Sequence, residues 1–335
     1  MSGAVVCFGE MLLRLATRPG EMLADAPQLG LVVGGAEANV AVALSALGWP
    51  ARMVSAVPAN PLGQRAIAAL GAAGVDTAAI ARLPGRMGLY FLETGASLRP
   101  SQVVYDRAGS AFALADAAHF DFAPALRDAR LLHLSGITAA LGPGGLDLSL
   151  AAIAAARAAG VPVSFDPNYR ALLWSAWPSE PRRALLQLVG EADILFANHR
   201  DMTLLLDRPF SGDGPERRRE AAQAAFAAFP RLKVMASTAR TPLTQTHHRL
   251  AARVDLREAD HQTAEIDIPD IVDRIGTGDA FAAGVLHGWL SGGDARAMAE
   301  NGLALGALKH AMHGDFCRLT TQHIAAFTAS PDVQR

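Results

Sequence analysis

The sequence predicts an α/β protein: a doubly wound, mainly parallel sheet flanked by helices, with a small β-sheet lid. Three observations carry this. Short apolar runs rich in valine, isoleucine and leucine recur along the chain. Between them lie alanine-rich stretches with helical spacing, each longer than a strand should be. Such alternation of strand and helix implies a parallel sheet covered on both faces. Finally, two segments break the rhythm and are left over for a separate sheet.

The strands are expected at 4–8, 52–57, 131–134, 161–165, 194–197 and 232–236, and intervening helices at 36–47, 61–73, 146–159 and 216–229. The first break, 14–33, is rich in Pro and Gly. The second, 88–107, carries two extended runs around the turn-like 95–100, as a hairpin would. A small antiparallel sheet there suggests a lid over the carboxyl edge of the main sheet, where open α/β folds place ligands; the alternative is a plain surface hairpin. Period-two geometry puts Val103, Tyr105 and Arg107 on one face, which suits an anionic, partly apolar ligand. With no long repeat and no low-complexity linker, residues 1–335 are expected to form a single domain, its lid at about 14–33 and 86–110.

Composition narrows the function. Of 335 residues 51% are hydrophobic and 19% charged, ample for a large core. The net charge of −2 is spread along the chain, so neither nucleic acid nor a membrane surface is an expected partner, and a small molecule is. Cys7 and Cys317, the only cysteines, read as packing residues in a reduced cytosol and offer no metal cluster. There is no basic leader before an apolar stretch, and no apolar run reaches the ~18 residues of a membrane span, so the expected location is cytoplasmic.

The strongest chemical signal is Asp273-Arg274-Ile275-Gly276-Thr277-Gly278-Asp279, followed by the small-residue run 280–286. A glycine-rich turn feeding a helix N-terminus aims backbone N–H groups at one point and adds the helix dipole, so it stabilises an anion such as a transferring phosphoryl group. Asp279, in the first turn, can accept the proton of an attacking hydroxyl. The plainer reading makes Thr277 an N-cap and Asp279 an acid favoured by the dipole. A second signal is Gly34-Gly35-Ala36-Glu37-Ala38-Asn39. Paired glycines let a ligand approach the backbone, and Asn39, one helical turn on from Gly35, could bond a sugar hydroxyl; Gly-Gly before a helix is also ordinary turn chemistry.

Together, GGxxxN near residue 35 and DxxGxGD near residue 275 resemble the paired signatures of the ribokinase-like (PfkB) carbohydrate kinases, across nearly the whole chain. The resemblance implies that Gly276, Thr277 and Gly278 form an anion hole, that Asp279 is the catalytic base, that the first motif contacts the sugar, and that the fold is a doubly wound sheet with a β-lid. The segment 34–41, the run Asp166-Pro167-Asn168-Tyr169-Arg170, and Leu308-Lys309-His310 with Gly314-Asp315-Phe316 look like 2-keto-3-deoxygluconate kinases within that family. A carboxylate-bearing substrate needs a cation. Arg107 and Arg170 can offer bidentate forks, with Tyr90 and Tyr105 nearby; for an isolated arginine a surface or structural ion pair is the alternative.

The implied ligands are ATP with Mg²⁺. Where the family shows NxxE this chain has Asn198-His199-Arg200-Asp201, so Asn198 and Asp201 are the metal candidates, acting through water. In place of the family's glycine-containing loop stand Ser237, Thr238 and Arg240, as if hydroxyls and a guanidinium met the phosphates. Asn198, Gly276, Gly278 and Lys309 complete the expected nucleotide contacts, with 301–310 bordering the adenine. His247 and His248 read as surface histidines, and 217–219 as a solvated arginine run. The expected activity is phosphorylation of 2-keto-3-deoxygluconate to its 6-phosphate. The alternatives are a kinase of a neutral ketose or pentose such as fructose, tagatose or ribose, and a non-catalytic sugar or nucleotide sensor. A lid with an apolar outer face would favour a homo-oligomer.

Overall fold

The structure, a computed structural model, describes residues 3–327; the ends of the expected 1–335 domain, 1–2 and 328–335, lie outside the described residues. Fourteen strands are found among them: β1 Val5–Phe8, β2 Leu12–Ala16, β3 Gly30–Gly34, β4 Ala51–Pro58, β5 Ile80–Leu83, β6 Gly88–Glu93, β7 Gln102–Asp106, β8 Leu131–Ser135, β9 Val163–Asp166, β10 Ile194–Phe196, β11 Val234–Pro242, β12 His248–Leu256, β13 Asp260–Gln262 and β14 Ile266–Ile268. Ten form the main sheet in the order β13-β12-β11-β10-β9-β8-β1-β4-β5, with β14 also on β12. From β11 to β5 neighbours run parallel; β12 turns back antiparallel on β11.

Both faces are covered, as the apolar runs require. Val5 and Cys7 of β1 face a core shared with the helices Ala36–Ala46, Thr277–Leu290 and Ala295–Lys309. Val6 and Phe8 face the opposite core, shared with Gly145–Ala158, Pro181–Gly190 and Gly214–Ala228. The small residues after Asp279 serve close packing: a Cβ on Gly284 or Gly302 would run into the neighbouring helix, at Asn301 or Phe281. Cys7 and Cys317 are buried and free.

The two rhythm-breaking segments build a separate sheet, ordered β3-β2-β6-β7. The hairpin is β6 and β7, paired antiparallel with Tyr90 opposite Tyr105 and a bridge between Ala96 and Arg99 at its tip. Its partners β2 and β3 come from the Pro- and Gly-rich stretch, β2 pairing parallel with β6.

Three expectations are corrected. The strand expected at 232–236 continues to Pro242, because β12 pairs with it throughout, so Ser237, Thr238 and Arg240 stand on a strand and not in a loop. His248 is fully buried on β12, although its neighbour His247 is partly exposed and bonded to Asp267 at 2.9 Å. Of the arginine run only Arg217 is paired on the surface, with Glu220; Arg219 reaches Asp255 at 3.0 Å and Arg218 bonds Gln262. β12 itself escaped notice because Arg253 is buried in it, bonded to Asp255 and Asp260 at 2.7 Å each, and a charged strand does not look apolar.

Candidate active site

Several residues converge where the parallel strands end. Glu10 follows β1, Ser135 closes β8, Asp166 closes β9 and Asn198 follows β10. Strand order reverses between β8 and β1, the kind of switch point that opens a crevice at the carboxyl edge. A cleft of about 730 Å³ lies there, between the small sheet and the turn before Thr277–Leu290. A second, of about 530 Å³, continues past β11 toward the helix Ala295–Lys309. Both are lined by Asn198, Arg200, Thr238, Arg240, Thr277 and Gly278, so they meet at the start of Thr277–Leu290.

That start is a helix N-terminus open to both clefts. Gly276 sits at φ 78°, a left-handed conformation that turns the chain into the helix. The first backbone bond of the helix runs from Ala280 N–H to the Gly276 carbonyl, leaving the N–H groups of Thr277, Gly278 and Asp279 without an acceptor among the described residues. Thr277 spends its hydroxyl on the Arg274 carbonyl at 2.9 Å. A Cβ on Gly278 would meet open space, whereas one on Gly276 would strike the Asp315 carbonyl.

Asp279 is partly buried at the junction and accepts a 2.6 Å hydrogen bond from the Asn39 amide. Burial pushes its carboxyl up to about 7; Asn39 and the Arg170 guanidinium pull the other way, and Asp315 and Glu37 add to the rise. Asp166 is likewise pushed up to about 7, by burial first and then by Asp279, against Arg170. A carboxyl balanced near neutrality can take and release a proton.

The sugar-side residues are Tyr90, Tyr105, Arg107, Arg170, Gly35 and Asn39, all on the larger cleft. Tyr90 donates to Asp315 at 3.1 Å. Arg107 gives its Nε to Glu10 at 2.6 Å, and Ser110 bonds the other oxygen of Glu10; the guanidinium is part of a buried pair with its two terminal nitrogens unclaimed by protein. Arg170 makes no ion pair among the described residues and bonds only the Tyr169 carbonyl at 3.3 Å. The paired glycines are also required by packing. Gly34 does not line the cleft: the Asp315 carboxylate packs where its Cβ would be, and the Glu10 carbonyl fills the same place at Gly35, which sits at φ 142°.

On the nucleotide side, Ser237, Thr238, Arg240 and Asn198 line the smaller cleft. Lys309 does not. It is fully buried, its ammonium donating to the Met312 carbonyl at 3.0 Å behind Asp273 and Asp315. Asp273 is held in turn by a bidentate grip from Arg14 of β2, at 2.7 and 3.2 Å, and by the Gly314 N–H. Asn198 and Asp201 cap the helix His199–Leu206 reciprocally, which leaves each only part of its oxygen capacity. No group of three metal-ligating side chains occurs among the described residues. After burial and Asp279, the charge of Asp201 raises the carboxyl of Asp166, and burial raises that of Asp201, so the larger cleft carries two carboxyl groups of the hard-oxygen type that suits a divalent cation.

Glu10, Asp166, Asp315, Arg200 and Arg274 had not been singled out as site residues. Asp166 and Asp315 lie in runs that carried the family resemblance, and Arg274 lies inside the motif; Glu10 has no local signature. Arg200, Arg240 and Arg274 are mutual neighbours without an ion pair or side-chain hydrogen bond among the described residues, and burial and that crowding disfavour the charge on Arg240. Arginine side chains beside backbone N–H groups at a helix start are the kind of surroundings that suit an anion.

Known proteins share the family and the fold. A family profile described as pfkB family carbohydrate kinase matches residues 3–316. The 2-dehydro-3-deoxygalactonokinase of Haloferax volcanii is 33% identical over 97% of this chain and 96% of its own. The 2-dehydro-3-deoxygluconokinase of Bacillus subtilis is 28% identical over 97% and 95%. The crystal structure of the 2-dehydro-3-deoxygluconokinase of Thermotoga maritima superposes with a TM-score of 0.91 at 37% identity, covering 97% of this chain and 98% of that one.

Proposed function

The chain belongs to the pfkB family of carbohydrate kinases, whose phosphate donor is ATP, and from that premise we propose that its acceptor is a 2-keto-3-deoxy sugar acid, foremost 2-keto-3-deoxygluconate phosphorylated on its 6-hydroxyl. The observation that carries this reading is the pairing of two cations, Arg107 and Arg170, with Asp279 around one cleft. Arg107 already has Glu10 as its counter-charge, but Arg170 has no ion pair among the described residues, and a neutral sugar gives it no charge to meet. A sugar acid meets Arg170 with its carboxylate and presents its far hydroxyl to the base.

In the proposed reaction Asp279, ionised and aligned by Asn39, accepts the proton of the 6-hydroxyl. The hydroxyl oxygen forms a bond to the γ-phosphorus, the bond from that phosphorus to the β,γ-bridging oxygen breaks, and ADP leaves with that electron pair. The N–H groups of Thr277, Gly278 and Asp279 and the guanidinia of Arg200, Arg240 and Arg274 stabilise the charge on the moving group. Asp166 and Asp201 would hold Mg²⁺, which would supply neutralisation of phosphate charge. The small sheet acts as the lid: Tyr90, Tyr105 and Arg107 cover the sugar from β6 and β7, and closure excludes water that would otherwise hydrolyse ATP.

The test is ADP release with Mg-ATP across 2-keto-3-deoxygluconate, its galactonate epimer, gluconate, fructose, tagatose and ribose. Turnover confined to one or both keto-deoxy acids is expected. Turnover only with a neutral sugar overturns the acid assignment and keeps the kinase; silence throughout favours a sensor.

A further inference from the structure

Lys309 ends the helix Ala295–Lys309 with its side chain shut off from solvent, an unfavourable place for an ammonium unless charge and carbonyl oxygen surround it. Its surroundings supply both. The Nζ donates to the Met312 carbonyl at 3.0 Å, and the Met312 N–H donates to the Lys309 carbonyl at 3.0 Å, so one residue closes the following turn from both ends. Burial disfavours the Lys309 charge, and the carboxylates of Asp273 and Asp315 restore part of it without a direct ion pair among the described residues. Against burial, Lys309 in turn favours the ionised form of both acids. With Arg14, which touches both carboxylates, these residues make two cations and two acids, a cluster balanced in charge only while Lys309 is there.

The segment so closed backs the turn that leads into Thr277–Leu290. The His310 carbonyl accepts the N–H groups of Val272 and Asp273 at 2.9 and 3.2 Å, and the Gly314 N–H donates to Asp273 at 3.1 Å. The Asp315 carbonyl stands where a Cβ on Gly276 would be. Lys309 itself lines neither cleft. We propose that Lys309 is a positioning residue for phosphoryl transfer: its buried ammonium is the counter-charge that holds residues 310–315 against the turn at Gly276, and so fixes where the N–H groups of Thr277, Gly278 and Asp279 point. A lysine at a helix C-terminus can also be a plain cap on the last carbonyls, and then its hydrogen bond matters and its charge does not. The effect on turnover rests on the proposed reaction; the effect on nucleotide binding needs no sugar.

Lys309→Gln keeps a donor for Met312 and removes the charge, and Lys309→Met removes both. Each is compared with the wild type in turnover of the sugar that the wild type accepts, in calorimetric affinity for ADP and for a non-hydrolysable ATP analogue, and in urea unfolding. Lys309→Gln is expected to lower kcat about tenfold or more while the KM for the sugar stays within about threefold, because N–H groups aimed off the moving group stabilise it less. For the same reason its preference for the analogue over ADP is expected to fall about threefold or more. Lys309→Met is expected to do the same with a larger loss of stability; if it does not fold, Lys309→Gln decides. Wild-type kcat and analogue preference in Lys309→Gln, whatever its stability, make Lys309 a helix cap and overturn the proposal. A loss that falls on the KM for the sugar alone overturns it too. If the wild type turns over no sugar, the proposed reaction fails, and the analogue preference alone decides the role of Lys309.

Discussion

Asp279, the proposed base, stands where its ionisation costs the folded state. Burial and neighbouring acids hold its carboxyl near 7, far above the range of an unfolded aspartate, so the folded protein binds that proton more tightly. Its contribution to stability is therefore full below about pH 4 and is lost as pH rises through 7. Asp279→Asn removes that ionisation while keeping a partner for Asn39. It is expected to raise the unfolding free energy by about 1–3 kcal/mol at pH 8 and to change little at pH 4, read by urea unfolding at both. In the wild type, kcat/KM should climb with pH up to about 7, and Asp279→Asn should lower turnover by about 10²–10⁴-fold. Glu10 is the converse case, a buried carboxylate whose partner lies 97 residues away. Glu10→Ala leaves Arg107 buried and unpaired, expected to cost about 3–5 kcal/mol of stability and to raise KM for a sugar acid, while Glu10→Gln, which still accepts from Arg107, is milder. This separates what the sequence could reveal from what it could not. Asp279 and the glycines before it form one contiguous motif; Glu10, Asp166 and Asp315 matter through partners brought together only by folding.

At the scale of elements, local pattern succeeded where one segment carries its own reason and failed where pairing supplied it. The helix starting at Pro61, the β6–β7 hairpin and the close-packed helix after Asp279 were all legible. Strands β2 and β3 were hidden in a Pro- and Gly-rich stretch, and β12 by its buried Arg253, because strands held by neighbours need not look apolar. The turn into Thr277–Leu290 makes the element-level prediction. Gly276→Ala forces a side chain into a left-handed residue and against Asp315, so it should cost about 1–3 kcal/mol in urea unfolding and abolish turnover. Gly278→Ala points into open cleft, so stability should hold while the added methyl obstructs the phosphoryl group and lowers kcat. Equal stability loss in both variants would contradict the anion-hole geometry.

Across the whole molecule, the alternation of apolar runs and helices was enough to foresee a doubly wound sheet with a second sheet beside it, since only that arrangement covers both faces. The antiparallel end of the sheet was not foreseeable, because β12 to β14 are defined by ladder pairing. The two sheets are joined across the site by Arg14 on β2, which grips Asp273 at 2.7 Å and approaches Asp315 to 3.1 Å. Through this contact the position of the small sheet and that of the phosphate loop are tied. On the proposed reading, this arrangement selects a carboxylate at one end of the cleft and phosphorylates a hydroxyl at the other. The most direct measurement is kcat/KM for 2-keto-3-deoxygluconate against 3-deoxyfructose, which replaces the carboxylate by a hydroxymethyl group, in wild type and in Arg170→Met. The account predicts a wild-type preference of about a hundredfold or more, worth roughly 3 kcal/mol, that collapses in the variant through loss of the acid alone. Equal use of both sugars by the wild type, or a preference that survives in Arg170→Met, would contradict it.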